Sequence, residues 1–197
     1  MGQLLELIGA SIIGAMIMLI GIGLNFQINE SSREIFQNTY NQRAAITSGQ
    51  VIEYDFYKAG YKATSEKLIQ ADSSTIKFKS DIDDNGTVDT VYYYLGSKDS
   101  LKSTTNPNDK KLFRKINSQT ANTVALVTRF LLTYKDSIGN TLSYSSLTNA
   151  ATRAKVRSIR VYIKTELPDP VYTTSNRDIK SYNPLDWKKT IRPKNLF

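Results

Sequence analysis

From Leu7 to Phe26 the chain runs without a single charged residue. A helix of that length spans about 30 Å, one hydrocarbon thickness. Gly9, Gly14, Gly21 and Gly23 interrupt the run. In water each glycine disfavours a helix by about 1 kcal/mol relative to alanine. In a membrane or a tight bundle the same glycines let backbones approach closely. Asn25 to Ser48 contains neither glycine nor proline. Across its end, Ala45, Gly49, Ile52, Phe56 and Ala59 step by four, three, four and three, one face of a helix. Ile28 and Ile35, one heptad apart, continue that stripe upstream, and Gly60 supplies a C′ stop. The pattern predicts one helix from about Leu4 to Ala59, apolar all round in its first half and amphipathic in its second.

After Gly60 the period becomes two. Ile76 and Phe78 alternate with Lys77 and Lys79, and Val91, Tyr93 and Leu95 with Tyr92 and Tyr94. Phe130, Leu132 and Tyr134 share a face, as do Ile159, Val161 and Ile163. Strands with one wet face belong to an antiparallel sheet. "DIDDNG" (81–86) reads as a hairpin turn and "KDSIGN" (135–140) as a second turn. The tail from Pro168 carries four of the five prolines and reads as loops, with a last short strand near Thr190–Leu196. The predicted class is α+β: a long helix packed on an antiparallel β-sheet. Three regions follow: a 1–28 apolar transmembrane or filament-core helix, its 29–60 amphipathic continuation, and a 61–197 sheet domain.

Composition narrows the chemistry. Cysteine and histidine are both absent from the 197 residues. Disulfides are excluded, and zinc sites, Cys or His nucleophiles and haem ligation lose their usual residues. No other catalytic constellation stands out, so the expectation is a protein that is not an enzyme. The net charge of +8 reads either as solubility or as affinity for DNA or another anionic surface. "DKKLFRK" (109–115) and "RAKVRSIR" (153–160) are the densest basic patches. Tyr92, Tyr93 and Tyr94 read as strand packing, with stacking on glycans or single-stranded DNA as the alternative.

The apolar run lacks the marks of a cleaved signal, because the first basic residue is Arg33 and no small-residue cleavage site follows. It also lacks the basic flank of an ordinary anchor and carries only Glu6 at its mouth. A carboxylate near the centre of a membrane helix costs about 2.5–3.5 kcal/mol, less near its end. Glu6 is therefore either paired with a cation or solvated among headgroups, and its place in the first turns suits the helix dipole. A second candidate is "DIDDNGTVD". Asp81, Asp83, Asn85, Gly86 and Asp89 occupy positions 1, 3, 5, 6 and 9 of an EF-hand-like Ca²⁺ loop. The twelfth position, a bidentate acid in an EF-hand, is Tyr92, and the alternative is an ordinary acidic hairpin tip.

"GQLLELIGASIIGAMIMLIGIG" resembles the prepilin-type segment of type IV pilins and pseudopilins: a glycine, a short apolar stretch, a glutamate, then an uncharged helix. The proline that many pilins carry in this helix is missing. "EYDFYKAGY" (53–61) looks like the close of the long helix in the larger minor pilins and pseudopilins. "IKFKSDIDDNGTVDTVYYYL" looks like their Asp-rich hairpin, and "KVRSIRVYIKTE" and "TIRPKNL" like their late strands. The resemblance implies a type IV pilin-like fold and a homo-oligomeric helical filament put together by membrane assembly machinery. The subunit would wait in the inner membrane and then stand at the cell surface or in a periplasmic pseudopilus. It implies assembly contacts at Gln3, Leu4, Leu5, Glu6, Gly9, Gly14, Gly21 and Gly23, with Glu6 pairing to a neighbour's N-terminal amine. It also implies leader processing at Gly2 or Gln3 and methylation of the new amine, which Met1, Gly2 or Gln3 would carry. The leader is expected to be missing from this numbering or nearly absent.

Overall fold

The computed structural model describes residues 2–97, 104–172 and 180–196. Helix α1 runs Gly2–Tyr57. The chain divides into two units between Tyr40 and Asn41. In the first, no residue from Gly2 to Tyr40 is buried. Ile28 and Ile35, expected to prolong the buried stripe, are each 65% exposed there. A heptad spacing shows that two residues share a face of a helix; it does not supply the surface that covers them.

The second unit begins within α1. Ala45, Gly49, Ile52 and Phe56 are buried, as the four-three spacing predicts, and so are Asn41, Ser48 and Asp55. The helix ends two residues before the expected Ala59, in a turn that Gly60 completes with φ of 83°. That left-handed conformation favours glycine, and its amide donates to Lys79 O at 2.8 Å. A second glycine matters for room. A Cβ on Gly49 would lie 2.6 Å from the Trp187 ring, so only glycine lets the helix approach there.

Where one sheet was expected, two main ones form. β1 (Leu68–Ala71), β2 (Ile76–Ser80), β3 (Asp89–Leu95), β4 (Lys110–Ile116) and β5 (Asn122–Val127) make a meander in chain order. β6 (Arg129–Lys135), β7 (Ser158–Thr165) and β10 (Leu185–Ile191) make a second sheet with β7 in the middle. The short β8 (Val171–Tyr172) and β9 (Lys180–Ser181) pair with each other. All pairings are antiparallel. A four-residue helix, α2 (Ala150–Arg153), precedes β7.

Alternation placed the inward residues correctly in four strands, except that Leu95 at the end of β3 is only half-buried. Ile76, Phe78, Val91, Tyr93, Leu132, Tyr134, Ile159, Val161 and Ile163 are wholly buried, and Phe130 almost so. The last strand lies earlier than Thr190–Leu196. It occupies Leu185–Ile191 and pairs with β7 along its whole length. Pro184 and Pro193 bracket it, and proline cannot donate to a strand ladder. Residues from both sheets and from α1 share one hydrophobic cluster. Phe56 stands at its centre, edge-on to Phe78 and Tyr93 with ring centroids 5.7 and 5.4 Å apart. Full burial of such a side chain contributes about 1.5–3 kcal/mol.

Candidate functional site

The N-terminal candidates lie on α1. Gly2, Gln3, Leu4, Leu5, Glu6, Gly14, Gly21 and Gly23 are exposed and Gly9 half-exposed. The helix is long and apolar enough to cross a membrane, and none of its most apolar window is buried. The glycines leave open space where a Cβ would stand. Met1, one candidate carrier of the amine, lies outside the described residues.

The acidic hairpin is built differently. β2 and β3 pair so that Ser80 faces Asp89. That register returns position 9 of the loop to the side of position 1. One carboxylate oxygen from each of Asp81, Asp83 and Asp89 therefore comes within 4.8 Å of the others. Asp81 has no exposed surface and Asp89 is buried, while Asp83 and Asn85 are exposed. Asp81 Oδ2 accepts from Lys62 Nζ at 2.6 Å and from the Gly86 amide at 2.9 Å. The Lys62 ammonium, assisted by that amide, holds the Asp81 carboxyl below its ordinary pKa against the effect of burial. Asp89 Oδ1 accepts from Asn117 Nδ2 at 2.6 Å. Lys58 clamps the loop from the end of α1, donating to Ile82 O at 3.0 Å and to Asp84 Oδ2 at 2.6 Å.

Tyr92, at the twelfth position, is unsuited to a ligand role. It faces Lys77 across the β2–β3 ladder and stacks on Tyr94 with centroids 4.7 Å apart. The EF-hand spacing is thus reproduced through position 9 and fails at position 12, where a strand, not a helix, follows.

Sequence reasoning missed the strongest buried polar group. Asp55, 1% exposed, accepts from the Tyr93 hydroxyl at 2.7 Å, from Arg114 Nε at 2.5 Å and from Arg114 Nη2 at 3.0 Å. This bidentate pair ties α1 to β3 and β4. Burial pulls the Arg114 pKa down, but the Asp55 carboxylate more than offsets it and holds it raised. Burial, helped by the Asp55 charge, pushes Tyr93 well above its ordinary value. Arg114 sits in "DKKLFRK", read from sequence as a basic surface patch. A lone acid on the helical stripe, Asp55, was the available signal.

Asp109, at the start of the same patch, is buried with neither oxygen hydrogen-bonded. Burial raises its pKa and the Glu166 charge adds to this, while the nearby Thr104 hydroxyl pulls the other way without completing a hydrogen bond. Glu166 is lowered: burial opposes ionisation, but the Asn106 amide at 2.9 Å and Lys164 at 3.0 Å outweigh it. Beside this group lies a cleft of about 310 Å³ lined by Lys110, Arg129, Tyr162, Lys164 and Glu166, among others. Its charge suits an anion.

No family model, curated protein or solved structure matches this chain.

Proposed function

We propose that this chain is a structural subunit of a type IV pilin-like filament. Its N-terminal helix first sits in a membrane and then bundles with copies of itself. The observation that carries this reading is the bare apolar half of α1. From Leu4 to Phe26 its large apolar side chains are 47–72% exposed. Apolar surface contributes about 25 cal/mol per Å² when covered, so so long an uncovered run calls for lipid or other helices. The prepilin-like order of residues around Glu6 favours helices that start in lipid and end in a bundle. In the bundle a carboxylate near the end of an apolar helix is stabilised by a neighbouring amine, and the glycines admit close backbone approach.

Electron microscopy of cell surfaces, with mass spectrometry of the N-terminal peptide of any filament, tests the reading. Filaments of this chain with a processed, methylated amine are expected. Cells that express the chain in the membrane and make no filament of it would overturn the proposal. Glu6→Ala should abolish filaments while leaving the chain in the membrane; normal filaments would remove the pairing role alone.

A second reading is a membrane-anchored module whose basic face contacts DNA or another polyanion. The cleft beside Lys110 and Arg129 favours it, because neither side chain has an ion-pair partner among the described residues. Binding to duplex DNA that weakens steeply with salt is its test.

A further inference from the structure

The tip of the β2–β3 hairpin brings three acids together and leaves one buried carboxylate oxygen among them without a donor. Asp81 is wholly covered, yet its Oδ1 has no hydrogen-bond partner. Its Oδ2 is fully engaged by Lys62 and by Gly86. A buried carboxylate oxygen left without a donor forfeits roughly the full desolvation penalty of a charged group. Ordinary acidic hairpin tips avoid this by turning the carboxylate to water. Here the Asp81 carboxylate that carries this oxygen lies beside two further carboxylates, one of them, Asp89, also buried.

We propose that this hairpin is a Ca²⁺ site, with Asp81 Oδ1, Asp83 and Asp89 as carboxylate ligands and Asn85 as a further oxygen donor. The ligands are all oxygen, which selects a hard cation. Four carboxylates, Asp84 included, against Lys58 and Lys62 leave the loop negative before the ion binds. Asp89 closes the site in the place that a glutamate three positions later fills in an EF-hand, because the Ser80–Asp89 register folds the loop back sooner. Asp83 and Asn85 stand on the exposed side and can adjust, so the site tolerates the irregular shell of Ca²⁺ more readily than the strict octahedron of Mg²⁺. Lacking the bidentate glutamate, it belongs with weak extracellular modules, whose dissociation constants are roughly 10⁻⁴–10⁻³ M. Lys62 shares Asp81 with the ion and weakens its binding. The site does not depend on filament formation.

Calorimetric titration of CaCl₂ into the full chain, stripped with a chelator and held in detergent micelles, tests this. One equivalent should bind, and Ca²⁺ in excess of its constant should raise the melting temperature where equal MgCl₂ does not. Asp81→Asn also removes the Lys62 ion pair, so the variants are chosen elsewhere. Asp83→Asn, at an exposed position, should weaken Ca²⁺ by about tenfold through lost ligand charge. Lys62→Met should tighten it. No heat and no melting shift in the unsubstituted chain would overturn the site. So would unchanged affinity in Asp83→Asn, or weaker binding in Lys62→Met.

Discussion

Phe36 and Phe56 lie on the same helix, twenty residues apart, in opposite circumstances. Phe36 is 77% exposed; Phe56 is wholly buried between Phe78 and Tyr93. The backbone treats both alike, so the difference lies in what the rest of the chain provides. Beyond Asn41 the helix has two sheets to cover it. Before Tyr40 its large apolar side chains stand uncovered. One element thus contains a half whose stability is internal to the fold and a half whose apolar surface waits for another phase or another molecule.

That contrast can be broken from either side. Phe56→Ala should cost about 3–5 kcal/mol, read as a large drop in the melting temperature of the full chain in detergent. Arg114→Met should destabilise by a comparable 3–5 kcal/mol, because it leaves the Asp55 carboxylate buried and unpaired; chemical denaturation measures it. Ile17→Arg acts on the other half. It should disfavour membrane insertion by about 2.5–3.5 kcal/mol in a translocon assay and leave the melting temperature unchanged.

A smaller effect sharpens the picture within the sheet unit. The raised pKa of Asp109 means that ionising it opposes folding, so stability is lost as pH rises through that value. Asp109→Asn should stabilise at neutral pH by about 1 kcal/mol, and the gain should vanish in acid, where the native residue is already protonated. Asp81 and Glu166 have the opposite sign. Their lowered pKa values give stability above the ordinary carboxylate range that is lost as pH falls through the native values. The smallest effect is the most diagnostic. Phe36→Ala should change the unfolding free energy of the isolated chain by no more than about 0.5 kcal/mol. If the uncovered half is an assembly surface, the same change should lower filament yield.

Much of this was legible in the residues, and what was not has physical reasons. The uncharged run, the four-three stripe and Gly60 foretold α1 to within two residues at each end. Alternation named the inward faces of β2, β3, β6 and β7, because a half-buried strand has no other way to sort its side chains. It said nothing of partners, so one sheet was expected where two form. β4 escaped notice because six of its seven residues are only half-buried and its lysines read as surface charge. β1 and β5 are short or weakly buried. At the hairpin, spacing identified Asp81, Asp83, Asn85 and Asp89, but only the strand register explains why position 9 closes the loop. Asp55 meets Tyr93 and Arg114 across separations of 38 and 59 residues, which no local pattern encodes.

The place of β10 bears on how the chain reaches this state. The five-strand meander closes in the order in which a ribosome delivers it, each strand pairing with the one just made. The other sheet cannot close that way. β6 and β7 emerge first, and the strand that flanks β7 on its free side is the last of all, bringing the Trp187 ring against Gly49. Until residues 185–191 arrive, the back of the helix at Gly49 has no cover and β7 keeps an open edge. A nascent or truncated chain therefore advertises its incompleteness as a bare strand edge and an unfilled aromatic seat, features that chaperones and proteases recognise.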